Sequence, residues 1–145
     1  MQKPLLIQAA NASVLVSKFM APAQLQALRV GCDGEEGTYF MEKLIEFGER
    51  VSTMPVTYDQ DGKGDEAIAY LHYFVGGSDW YITEKDMDGG VIQAFGYAIL
   101  NGDDEMAELG YINIVEITRL CGAELDLHFT PCTLAEIKAQ RRASH

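Results

Sequence analysis

Apolar residues in this chain recur every three or four positions near both ends and gather into short runs bounded by turn residues in the middle, which predicts helices flanking a sheet. In the first stretch Leu5, Leu6, Ala9, Ala12, Val16, Phe19 and Met20 follow helical spacing, while the β-branched Val14 and Val16 favour a strand. A helix is expected from Ala21-Pro22 to about Arg29, because a proline in the first turn gives up an N–H that has no partner there. Gly31, Gly34 and Gly37 then read as a loop; their spacing is not that of a dinucleotide-binding turn, and no convincing strand precedes them. From Thr38 to Arg50 an apolar stripe of Tyr39/Phe40, Leu44 and Phe47/Val51 returns, and Glu46 and Arg50 are spaced to pair along a helix.

The middle predicts a meander of antiparallel strands. Val56–Tyr58 leads into the polar loop Asp59–Glu66, and Ala67–Val75 follows as one long strand, apolar on both faces. A turn at Gly76–Asp79, a strand at Trp80–Thr83, a loop at Glu84–Gly90 and a strand at Val91–Leu100 come next, with Gly96 marking a bulge or a close backbone approach. Asn113 and Glu116 form a capping box for a helix that Gly122 ends, and Ile112 can staple onto Ile117. Leu125–Phe129 is a short extended segment, and Thr133 with Glu136 caps a last helix to about Arg141, leaving a frayed tail at Ala143–His145. The expected fold is α+β: one domain over 1–145, with a mainly helical part at 1–50 and an antiparallel meander of four to five strands with two capped helices at 51–145. Helices are expected mainly on one face of the sheet.

Charge sharpens this picture. The chain of 145 residues has a net charge of -11, and the interval 51–118 carries all of it, with thirteen acids against Lys63 and Lys85. Such a field repels phosphate backbones and attracts basic partners, so direct nucleic-acid binding is disfavoured. No apolar run approaches the roughly 20 residues that span a membrane, and no signal-like segment follows Lys3, so a cytoplasmic protein is expected. Cys32, Cys121 and Cys132 are widely spaced, without a CxxC pair, and are expected to be reduced thiols.

No established catalytic or metal-binding motif occurs, and no cofactor is expected. Asp59–Asp65 resembles half a calcium loop, but Lys63 and Tyr70 occupy positions that need oxygen ligands. The carboxylates Asp59, Asp61, Asp65, Glu66, Asp86, Asp88, Asp103, Asp104 and Glu105 fall in three loops and form the candidate interaction surface. His72 is expected to be a hydrogen-bonded core histidine and His128 to point outward. The aromatic group Tyr70, Tyr73, Phe74, Trp80, Tyr81, Phe95 and Tyr97 is read as core.

The ordered series Tyr73-Phe74, Trp80 to Glu84, Phe95-Gly96, Glu108 to Ile112 and Phe129 to Ile137 resembles the bacterial family known as domain of unknown function 2958 (DUF2958), over roughly Leu71 to Ala139. The resemblance implies a small bacterial domain, often carried by plasmids, phages or other mobile elements. It implies framework roles for Trp80, Thr83, Glu84, Phe95, Gly96, Glu108, Gly110, Tyr111, Pro131 and Thr133. Gly110 is expected to relieve a tight approach. Glu84 and Glu108 have no such framework reason, and with Trp80 and Tyr111 they form a candidate groove. The functional expectation is a non-enzymatic protein-binding or regulatory factor of a mobile element that engages a protein through the acidic middle segment, with host nucleic-acid machinery as one class of target. The alternative is an enzyme using Glu84 and Glu108 with His72 or Tyr111 as acid and base.

Overall fold

In the computed structural model residues 4–144 are described; Lys3 and His145 lie outside them. Ala143 closes the last helix and the Ser144 N–H donates to the Gln140 carbonyl at 3.2 Å, so the fraying expected from Ala143 does not begin there. Three helices come first: α1 (Leu5–Val16), α2 (Pro22–Cys32) and α3 (Gly37–Thr53). Helical spacing prevails over strand preference in α1, because Ala9, Ala12, Ser13 and Val16 form one buried stripe, while Val14 and Leu15 face outward. Pro22 occupies the first turn of α2 as expected. The three-glycine loop is shorter than its spacing suggests. Gly31 lies in the last turn of α2 and Gly37 opens α3, leaving only residues 33–36 between them. These glycines serve packing: a Cβ on Gly31 would lie 2.7 Å from the Phe40 ring, and one on Gly37 would lie 2.3 Å from the Cys32 carbonyl oxygen. Where α1 crosses α3, a Cβ on Gly48 would come within 2.8 Å of Ala12 Cβ, so these two helices pack backbone to backbone.

The chain then forms β1 (Ile68–Ala69), β2 (Leu71–Val75), β3 (Ser78–Glu84), β4 (Ala94–Ile99), β5 (Glu108–Ile112), β6 (Glu124–Leu125) and β7 (Cys132–Thr133), and ends in α4 (Leu134–Ala143). Strands in the order β5-β4-β3-β2-β6 make a five-stranded antiparallel sheet, and β1 pairs with β7 in a second, two-stranded one. The fold is thus α+β, with α1–α3 on one face of the sheet. There Leu71, Tyr73, Trp80 and Ile82 share a core with Val16, Leu44, Phe47 and Val51. On the other face Tyr81, Tyr97 and Ile99 pack with Ala67, Ala69 and the α4 residues Leu134 and Ile137. No described helix is long and apolar enough to cross a membrane.

Several elements depart from the sequence pattern for local reasons. The strand expected at Ala67–Val75 breaks at Tyr70: its first part pairs with β7 and its second joins the main sheet, so Ala69 and Leu71 enter different cores. Val56–Tyr58 forms only a bridge to Lys85, because Tyr58 takes φ 79° and turns the chain away. Val91 is buried in a loop rather than in β4, and donation from Ile114 N–H to its carbonyl at 2.9 Å explains its burial outside the strand. Extended pairing in Leu125–Phe129 stops at Leu125; the Asp126 carboxylate accepts the His128 N–H at 2.9 Å and turns the chain. The helix expected after Asn113 does form, and Asn113 Oδ1 accepts the Glu116 N–H at 3.1 Å. Residues Glu116–Leu120 are π-helical, next to the Thr118 hydroxyl bond to the Ile114 carbonyl at 2.7 Å. Thr133 caps α4 by accepting the Glu136 N–H at 3.1 Å.

Candidate binding cleft

One register shift in the sheet shapes the site. Ile82 faces Gly96, but two residues later Glu84 faces Phe95, so β3 carries an extra residue at Thr83. Strict alternation would put Glu84 on the face of Trp80 and Ile82, among the helices. The bulge instead delivers it to the opposite face, in line with Phe95 and, across β4, with Tyr111. Gly96 permits this, since a Cβ there would lie 2.1 Å from the Tyr81 carbonyl oxygen. The close approach is therefore at Gly96; a Cβ on Gly110 would meet nothing within 4 Å, against the expectation for that residue.

Glu84 is only 4% exposed and helps form a cleft of about 150 Å³, walled by Tyr58, Phe95, Leu109 and Tyr111 and edged by Asp61. Its Oε1 accepts the Tyr58 N–H at 2.7 Å, and its Oε2, at 3.2 Å, shares the Thr83 hydroxyl with the Phe95 carbonyl at 3.1 Å. Burial pushes the Glu84 carboxyl up from its ordinary range; these two hydrogen bonds oppose the shift, while Asp59 and Asp61 add to it. At the rim the hydroxyls of Tyr58 and Tyr111 are 2.6 Å apart, and the Phe95 ring meets Tyr111 edge-on at 5.7 Å.

Gln60 holds the rim loop in place. Its amide donates to the Ile68 and Thr83 carbonyls at 2.8 and 2.9 Å, and its oxygen accepts the Ile68 N–H at 2.7 Å, much as a strand neighbour would. The loop's acids do structural work as well. Asp59 accepts the Val56 N–H at 3.1 Å, and Asp65 pairs with Lys138 at 2.7 Å. No three or more of the described His, Cys, Asp and Glu side chains gather into a cation cage.

The other candidate positions divide between the two ends of the sheet. The loops 59–66 and 86–88 share the end where β3 finishes and β4 begins, as the Tyr58–Glu84 and Thr57–Lys85 hydrogen bonds require. Asp103, Asp104 and Glu105 lie at the opposite end, between β4 and β5. Asp86 accepts the N–H groups of Asp88 and Gln93, both at 3.1 Å, and Asp103 accepts that of Met106 at 3.3 Å. Asp104 binds Arg141 at 2.6 Å. Asp59, Asp61, Glu66, Asp86 and Asp88 make no salt bridge with any described residue.

The proposed groove is divided as well. Glu84 and Tyr111 meet in the cleft, but Trp80 is buried in the helix-side core. Glu108 is paired with Ala98 on β4, three residues along β5 from Tyr111, and alternation puts it on the opposite face. His72 does not line the cleft. It stacks on Tyr81 with ring centroids 4.5 Å apart and lies between Asp79 at 2.7 Å and Asp126 at 2.9 Å. The set of Glu84, Glu108 and His72 is therefore not assembled. Tyr58, Gln60 and Phe95 complete the site; of these, only Phe95 had a signal, its place beside Gly96.

Searches of family models, curated proteins and solved structures find no match to this chain.

Proposed function

We propose that the protein is a non-enzymatic binding factor that engages a basic partner protein through the acidic end of its sheet. One observation carries this reading: Asp59, Asp61, Glu66, Asp86 and Asp88, none in a salt bridge with a described residue, belong to the two loops at the Glu84 end. Exposed Tyr58, Met87 and Tyr111 belong to the same end, and tyrosine and methionine are favoured at protein interfaces. Among the described residues at this end, Lys85 is committed elsewhere, its ammonium donating to the Val51 and Ser52 carbonyls at the end of α3, and Lys138 is paired with Asp65. The resemblance to DUF2958 supports a setting in a bacterial mobile element, where a host nucleic-acid-binding protein is the kind of basic partner such a surface would meet. Mimicry of a phosphate stripe has weaker support, because Asp103–Glu105 are separated from the other loops by the length of β4, about 20 Å.

The test is partner capture and salt-dependent binding, comparing wild type with the Glu66→Gln/Asp88→Asn double variant, whose carboxylates cap no backbone N–H. A several-fold loss of the same partner supports the reading, and equal recovery rejects it. Competition by DNA then separates a nucleic-acid-binding partner from other basic proteins. A second reading, acid–base chemistry by Glu84, is favoured by its raised pKa beside the Tyr111 hydroxyl. It requires a turnover that Glu84→Gln abolishes, and retained turnover in that variant removes it.

A further inference from the structure

We propose that the Glu84 cleft is a receptor for one cationic side chain, a lysine or arginine of the partner protein. This deepens the acidic-end reading and rests on it. The cleft volume, about 150 Å³, is the size class that admits a single benzene-sized group, comparable to a guanidinium or an ammonium with its last methylenes.

Its chemistry is selective for positive charge. A carboxylate has about four lone-pair positions, and Glu84 uses one for the Tyr58 N–H and at most one more for the Thr83 hydroxyl, which also reaches the Phe95 carbonyl. A desolvated carboxylate with acceptor capacity to spare gains most from a charged donor. Asp61 at the edge and Asp59 nearby deepen the negative field. Tyr58, Tyr111 and Phe95 provide aromatic walls, and an aromatic face attracts a cation held within about 6 Å of it. Among the described residues no base lines the cleft: Lys85 is fixed on α3, and the exposed Lys63 is not part of the lining. A partner's side chain is the occupant favoured, because the cleft opens on the surface that carries the acidic loops and admits one group rather than a whole ligand.

The test titrates the intact protein with three capped tripeptides, acetyl-Gly-X-Gly-amide, in which X is arginine, lysine or norleucine. Binding is followed through the Tyr58 and Tyr111 NMR signals. The arginine and lysine peptides should give saturable shifts there, and norleucine none. Glu84→Gln, which keeps an acceptor oxygen for Tyr58, should weaken binding tenfold or more. Tyr111→Ala should weaken it several-fold. Equal response to norleucine, an unchanged affinity in Glu84→Gln, or no shift at these tyrosines up to about 10 mM peptide overturns the proposal. Glu66→Gln/Asp88→Asn, outside the cleft, should change peptide affinity by less than twofold while reducing partner capture. Partner binding that needs Glu66 and Asp88, together with absent peptide binding, would therefore sink the receptor and leave the acidic-end reading standing.

Discussion

Burying the Glu84 carboxyl has a cost at neutral pH, and proton linkage gives its sign. The folded pKa lies above the ordinary 4.5, so between those two values the folded protein binds more protons than the unfolded chain. Stability from this group is therefore present below pH 4.5 and lost as pH rises through the folded pKa. Glu84→Gln removes the buried charge and keeps an acceptor, so it should raise the melting temperature at pH 7 by about 3 °C, or ~1 kcal/mol. The difference should vanish near pH 4; thermal melts at both values check it. The two sheet glycines give a second contrast. Gly96→Ala places a methyl 2.1 Å from the Tyr81 carbonyl oxygen and should cost about 3 kcal/mol or more. Gly110→Ala meets no atom within 4 Å and should cost within about 0.5 kcal/mol by denaturant titration.

Elements on the α4 side of the sheet are tied by a chain of charges. His72 bridges Asp79 and Asp126, and Arg141 of α4 joins Asp79 to Asp104 at 3.3 and 2.6 Å. Burial acts against the charged imidazolium, but the hydrogen bonds to Asp79 and Asp126 outweigh it and raise the His72 pKa above 6.5. Its stabilisation is fully present below pH 6.5 and lost as pH rises through the folded value. Wild type should therefore lose stability across that window and His72→Gln should not, as urea titrations at stepped pH would reveal. Gln60→Ala should cost about 2–4 kcal/mol, because it leaves the Ile68 N–H and two carbonyls without their partner; faster hydrogen exchange at Ile68 would accompany it.

These elements also show what the residue pattern can carry. Helices α2, α3 and α4 were legible from apolar period and capping residues, and β2, β3 and β4 from apolar runs bounded by turn residues. The break at Tyr70 was not, because both faces of Ala67–Val75 are apolar and a change of face leaves no trace in such a run. The cleft was half legible. Glu84 and Tyr111 stood out, but alternation is blind to a bulge that turns one side chain over, and Gly96 was its only mark. Glu108 was placed with Glu84 by chemical type alone, and the register puts it on the other face.

At the scale of the molecule, helices cover both faces of the sheet, leaving its ends and loops to carry surface chemistry. α4 brings Lys138 and Arg141 to Asp65, Asp79 and Asp104, so part of the acidic middle segment is neutralised within the fold. The unneutralised acids at the Glu84 end would give the proposed association a strong dependence on ionic strength. Proton and cation binding at Glu84 must be reciprocally linked, since a cation that stabilises the carboxylate also lowers its pKa. The most direct measurement is the pH titration of the Glu84 side-chain carboxyl carbon by NMR, with and without saturating acetyl-Gly-Arg-Gly-amide. A midpoint above 4.5 that moves down when the peptide is added is the predicted result. A midpoint at 4.5 that the peptide does not move would contradict the account.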